Sequence, residues 1–353
     1  MSVTDKLLIR RYLKINGINK KTVTKIMKSI KYLKTLILIL IFTSVKAQDT
    51  KLLLRQKLIS NIYESPIYFR LSEERGDQRE WKEQFKYIDS IEIYSITYLS
   101  DGLKINGLLV KPKKKGKYPC IIYNRGGNRE FGSLKVFHGA ITLGQIAKEG
   151  YVVIASQYRG NGGSEGNEEF GGKDVNDITI LPEVLKEIEV ADTNNIGMYG
   201  WSRGGMMTYI ALTKTQKIKT VVVGGAISDN FRSIKDRPEM EIGVLSELIP
   251  NYADNKDIEL EKRSAIKWAN KFPKDVPILM LHGNSDWRVK PEQSLNLALE
   301  FEKNRIPYRL IMFEGGDHGI SEHKNEVNEQ VFKWFNKYLK NNEPLPNMDY
   351  HGK

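Results

Sequence analysis

The chain has one cysteine, Cys120, in 353 residues. That excludes an intrachain disulfide and any metal site built from cysteine thiolates. Cys120 lies in the apolar run Cys120-Ile121-Ile122-Tyr123, the setting of a buried structural thiol rather than a reactive one. Histidine is scarce, with five in all, so few positions can do imidazole chemistry. Residues 50–90 contain no repeat and no Gly/Pro-rich linker. Charge of one sign is missing from most of the chain. The formal net charge is +12, but residues 1–47 hold eleven Lys and Arg against one acidic residue. The remaining residues carry 44 basic and 42 acidic side chains. A nearly neutral body has no strong phosphate-binding field, which argues against a nucleic-acid partner.

The basic segment has its own explanation. Lys28, Lys31 and Lys34 precede the apolar residues 36–42, and Thr43-Ser44-Val45-Lys46-Ala47 follows. Charged, apolar and small-residue regions in that order read as a secretory signal beginning at Met27, with cleavage after Ala47. The expected protein is exported, periplasmic or secreted, with residues 1–26 an upstream extension. Seven apolar residues are too few to span a bilayer, so no stable membrane span is expected after cleavage. The alternative is a signal retained as an N-terminal anchor.

An apolar content of 40% supports a globular core. Residues 48–90 read as a charged, partly helical lead-in. From residue 91 the pattern is strand-like, and Asp101-Gly102 joins two alternating runs as a hairpin. Apolar runs then recur near residues 120–123, 151–155, 196–199, 220–223, 278–281 and 309–313. Helix-like stretches lie near 138–149, 175–189, 202–213, 291–304 and 324–340. Strand–helix alternation with near-continuous apolar strands predicts an α/β fold. The expected sheet is mixed, mostly parallel and about eight strands wide, with helices on both faces. Residues 228–274 contain no strand candidate and read as a helical cap over the sheet edge where ligands bind. The expected organisation is a catalytic domain over 91–341 and a tail over 342–353.

Gly200-Trp201-Ser202-Arg203-Gly204 follows one apolar run and opens a helical stretch. Strand, tight turn and helix around GxSxG is the context of a nucleophile elbow. A serine hydroxyl needs a base to take its proton, and the base needs an orienter. His318 follows Gly315-Gly316-Asp317 in a loop after the last strand. Asp286 follows a turn at the end of the preceding strand. Ser202, Asp286 and His318 fall in the α/β-hydrolase order. Asp317 is the weaker orienter, because adjacent residues usually point apart. His282 reads as a packing residue beside the triad, and His138 as a surface residue at a helix start. Asp174 and Asp177 read as helix N-caps. The oxyanion donors expected are the backbone N–H of Arg203 and one from the loop Asn124-Arg125-Gly126-Gly127-Asn128.

These motifs, with Tyr158-Arg159-Gly160-Asn161-Gly162-Gly163-Ser164, Gly171-Gly172-Lys173-Asp174, His282-Gly283-Asn284-Ser285-Asp286-Trp287-Arg288-Val289 and Gly316-Asp317-His318-Gly319, resemble the catalytic domain of the prolyl oligopeptidase family over roughly residues 90–340. The resemblance implies an α/β-hydrolase fold and a serine peptidase with the same triad. Members of that family usually show His-Gly-Gly-Pro in the oxyanion loop. Here Arg125-Gly126-Gly127-Asn128 stands there, with Gly127 N–H the expected donor and Arg125 free to grip a substrate carboxylate or pair with an acid. Trp201 and Trp287 are further candidates for substrate contact. About forty residues precede the first expected strand, too few for the β-propeller of the family's well-known peptidases. No metal or organic cofactor is implied. The expected substrate is a small peptide, or alternatively a carbohydrate-linked or small acyl ester, since one triad serves both. The oligomeric state is not legible.

Overall fold

The computed structural model describes residues 51–60 and 62–352, together with scattered positions between residues 7 and 32. The apolar stretch 36–42 and the expected cleavage point after Ala47 lie outside the described residues. The chain divides into two units, Met1–Lys51 and Leu52–Lys353. In the first, most described positions are helical. No helix among the described residues is long and apolar enough to cross a membrane.

Among the described residues, the second unit is built on eleven strands. They are β1 Leu53–Leu58, β2 Ser72–Arg75, β3 Gln78–Trp81, β4 Ile91–Ser100, β5 Leu103–Pro112, β6 Tyr118–Asn124, β7 Val152–Ser156, β8 Ala191–Trp201, β9 Thr220–Gly224, β10 Ile278–Gly283 and β11 Tyr308–Phe313. Nine of them form one sheet in the order β1-β4-β5-β7-β6-β8-β9-β10-β11. β1, β4, β5 and β7 pair antiparallel, and every pairing from β7 to β11 is parallel. The main sheet thus has nine strands where about eight were expected. The extra one is β1, inside the segment read as a lead-in. Its sequence, Leu-Leu-Arg-Gln-Lys-Leu, has one buried residue, as suits an edge strand that faces water. β2 and β3 form a separate two-stranded ribbon in the same segment.

The hairpin forms as the Asp-Gly signal predicts, with Asp101 at φ 50° and Gly102 at φ 79°. β7, β9 and β10 are buried at every residue because helices cover both faces of the sheet. The helices that matter for the site are α1 Arg203–Leu212, α2 Asn230–Asp236, α3 Tyr252–Lys262, α4 Glu292–Asn304 and α5 Lys324–Phe335. α1 is buried along its whole length. α5 docks through Val327, Val331, Trp334 and Phe335. The segment between β9 and β10 carries α2, α3 and several shorter helical turns, with no strand.

Candidate active site

β8 ends at Trp201, and α1 begins at Arg203. Between them Ser202 takes φ 56° and ψ −124°. A non-glycine residue in that region is strained by on the order of 1–3 kcal/mol, and such strain persists only where the surroundings impose it. Ser202 N donates to Gly224 O of β9 at 2.8 Å, and Ser202 O accepts from Gly205 N at 3.0 Å. The serine is therefore pinned from both sides of the turn. A Cβ on Gly204 would run into the Asn124 carbonyl and stand 2.8 Å from Arg125 O. Gly204→Ala is expected to cost about 1–3 kcal/mol of stability through overpacking and to displace the serine. Thermal unfolding together with active-site labelling checks this, and a variant equal to wild type in both contradicts it.

His318 and Asp286 meet. His318 Nδ1 donates to Asp286 Oδ2 at 2.7 Å. Asp286 Oδ1 accepts the backbone N–H groups of Arg288 at 2.8 Å and Val289 at 3.0 Å. His282 is fully buried beside them. Its Nε2 donates to Val289 O at 2.8 Å and lies 3.3 Å from Asp286 Oδ2. Its Nδ1 then accepts from Ser294 Oγ at 2.6 Å. Burial raises the Asp286 pKa, but the hydrogen bonds from His282 and His318 outweigh it and hold the carboxyl well below the usual range. With Nδ1–H committed to this carboxylate, Nε2 of His318 is left to accept a proton. The His318 carbonyl accepts from Trp201 Nε1 at 2.8 Å, which ties the histidine loop to the elbow.

The sign of the Asp286 shift sets a pH test. A carboxyl with a depressed folded pKa contributes stability above its unfolded value, near 3.9, and loses it as the pH falls through the folded value. Asp286→Asn is therefore expected to be less stable than wild type at pH 7, and the gap to close below about pH 4. Urea titrations across that range measure it. A gap independent of pH contradicts the assignment.

Ser202 and His318 line one cavity of about 360 Å³, with Gly127, Phe131, Phe170, Arg237, Met240 and Trp287 among its walls. Ser202 Oγ makes no hydrogen bond to the imidazole. Such catalytic bonds often tighten only when substrate is bound. The segment between β9 and β10, expected as a cap, supplies Ser233, Arg237, Glu239, Met240 and Val244 to this cavity.

Two of the expected substrate contacts do not reach it. Arg125 neither faces the cavity nor pairs with an acid. It is buried, and its guanidinium lies on the backbone carbonyls of Gln157, Gly126, Arg129 and Phe131. Trp201 lines a different cavity, with Tyr123, Tyr199 and Phe332. Trp287 does line the serine's cavity and is 58% exposed.

Asp174 and Asp177 are not N-caps. Both are fully buried ion-pair partners. Asp177 holds Arg159 at 2.7 Å, and Asp174 holds Arg203 Nη2 at 2.7 Å. The other side of the Arg203 guanidinium meets Glu168 Oε1 and, at 2.9 Å, Gly127 O. Burial lowers the Arg203 pKa to about 9, so it stays charged at neutral pH. Burial, with the negative charge of Asp177, pushes Asp174 up to about 6. The sequence showed acids near a helix start. It carried no signal that they turn inward, Asp174 to a cation 29 residues on and Asp177 to one 18 residues back.

Among the described residues no cluster of His, Cys, Asp and Glu could hold a metal ion. A family model described as the prolyl oligopeptidase family matches residues 140–342, more than half of the chain. The chain belongs to the prolyl oligopeptidase family. Its fold is the α/β-hydrolase fold, and it is a serine hydrolase of peptidase type. It is 29% identical to a Bacillus subtilis (strain 168) protein described as an uncharacterized peptidase, YtmA, over 69% of this chain and 93% of that one. It is 25% identical to the dipeptidyl-peptidase 5 of Porphyromonas gingivalis, covering 64% of this chain but only 34% of that protein. Among solved structures it is similar to the Pyrococcus horikoshii acylaminoacyl peptidase, with a TM-score of 0.59 and 25% identity over 71% of this chain and 42% of that one. The chain thus spans nearly all of one of these relatives and less than half of the other two.

Proposed function

We propose that the protein is an exported serine peptidase that hydrolyses short peptides through Ser202, His318 and Asp286. In this reading Ser202 Oγ attacks the scissile carbonyl carbon, and His318 Nε2 takes its proton. His318 later gives that proton to the leaving group, while Asp286 fixes the imidazole tautomer and stabilises the imidazolium. The backbone N–H groups of Arg203 and Gly127 receive the oxyanion. The observation that carries the reading is the 2.7 Å bond from His318 to Asp286 beside a serine held at φ 56° in the same cavity. Family membership favours an amide substrate, and the modest cavity of about 360 Å³ favours a short one.

The test compares p-nitrophenyl acetate with chromogenic dipeptide amides. Turnover of both is expected, because the acyl-enzyme route serves both. Ester turnover with no amide turnover would replace the peptidase reading by the carboxylesterase one. Export rests on the basic, apolar and small-residue order of residues 27–47. Sequencing the N-terminus of the native protein is expected to begin at Gln48. A start upstream of Lys28 would overturn cleavage.

A further inference from the structure

Arg125 and Arg203 are two buried guanidinium groups, and Arg125 does not line the substrate cavity. They share one target, the loop that follows β6. Arg125 is 2% exposed and donates to three carbonyls of that loop, Gly126 at 3.2 Å, Arg129 at 3.3 Å and Phe131 at 3.4 Å. Its Nη2 and Nε anchor the group to Gln157 O, just beyond β7, at 2.9 and 3.1 Å. Arg203 reaches the loop from the other side and donates to Gly127 O at 2.9 Å. Both guanidinium groups lie over the ring of Tyr158, 4.9 and 5.1 Å from its centroid. Glu168 closes the set, since it contacts Arg203 and accepts the backbone N–H of Arg129 at 2.8 Å.

The peptide geometry gives these contacts a consequence. In a trans peptide the N–H points opposite to the C=O of the same plane. Holding the Gly126 carbonyl on Arg125 therefore aims the Gly127 N–H the other way. Holding the Gly127 carbonyl on Arg203 does the same for the Asn128 N–H. Among the described residues, neither N–H donates to another backbone or side-chain acceptor. Both residues line the cavity that holds Ser202. A Cβ on Gly126 would stand 3.4 Å from Ser202 Cβ, which puts the loop against the nucleophile.

We propose that Arg125 and Arg203 are positioning residues that clamp the carbonyl side of the 126–128 loop, so that its amides are presented to the oxyanion before substrate arrives. This rests on Ser202 being the nucleophile. Arg203 acts twice, with its backbone N–H as a donor and its side chain as the brace for the opposing donor. Preorganised donors need no reorientation during reaction, which is the source of their effect on rate. Guanidinium suits the task because its donors form a rigid planar fork, whereas one lysine ammonium cannot span four carbonyls.

The test uses Arg125, which pairs with no carboxylate. Arg125→Lys keeps the charge and is expected to lower kcat by on the order of 10²-fold, the effect of losing one oxyanion donor. KM is expected to stay within about twofold, because the loss falls on the transition state alone. Affinity for an arylboronic acid, which forms a tetrahedral adduct, should fall by the same factor as kcat. Adding methylguanidinium to Arg125→Ala is expected to restore part of kcat. A folded Arg125→Lys enzyme with wild-type kcat and boronate affinity, or with raised KM and unchanged kcat, would overturn the proposal. If neither variant folds, a wild-type adduct structure decides between the outcomes. An adduct oxygen beyond hydrogen-bond reach of Gly127 N and Asn128 N refutes the clamp, and one within reach of either supports it. Failure of the Ser202 reading is separately visible as a wild-type enzyme that binds no boronate.

Discussion

Ser202→Ala is expected to lower kcat by on the order of 10⁴ or more, with the fold intact. The residue occupies a turn whose backbone is fixed by Gly224 O, Gly205 N and Met206 N, none of which touches its side chain. Removing Oγ therefore deletes the nucleophile and little else. Residual hydrolysis on the order of 10³–10⁴ over water can persist from the oxyanion donors and substrate binding alone. The measurement is kcat on an activated ester, with a thermal melt as the control for folding. A melting temperature near wild type with more than a tenth of the activity remaining would remove Ser202 from the mechanism.

Arg203→Met is expected to lower stability by about 3–5 kcal/mol, in addition to releasing the Gly127 carbonyl that its side chain braces. The guanidinium is 2% exposed, and it faces Glu168 and Asp174 at 4% and 0% exposure. Deleting it strands two carboxylates in a dry interior, where each costs far more than an exposed ion pair returns. At a few degrees per kcal/mol, the melting temperature should fall by roughly 10 °C. The pH dependence gives the mechanism a sign. The Asp174 pKa is raised in the fold, to about 6, so that group favours the native state at low pH and the preference disappears as the pH rises through 6. Without Arg203 the carboxyl rises further, and the deficit should narrow as the pH drops below about 6. Neutralising Glu168 and Asp174 together with Arg203→Met should also recover part of the loss. A variant with unchanged stability at pH 7 would mean that the buried charges are not coupled as the distances indicate.

Both predictions concern one elbow, yet only half of it was legible beforehand. Ser202, Asp286 and His318 could be read because each lies at a loop announced by glycine after an apolar run. The parallel strands were legible for a related reason. Strands such as Val152–Ser156 and Ile278–Gly283 are buried on both faces and show unbroken apolar sequence. β1 failed to stand out because an edge strand with one buried residue has little apolar pattern to show. Arg125, Asp174, Asp177 and Glu168 were misread or missed for a different reason. A buried charge looks like a surface charge in one dimension, and only the fold reveals its partner. The departure at Arg125 from the family's usual histidine was the one hint available. Its expected role as a substrate contact was overturned by the carbonyls that surround it.

The assignment of the nucleophile is tested most directly by peptide mapping after fluorophosphonate treatment, run beside His318→Ala. The expected result is one phosphonylated residue, Ser202, formed at least on the order of 10²-fold more slowly when the imidazole is gone. An active enzyme that carries the adduct on another residue, or labels at the same rate without His318, would contradict it.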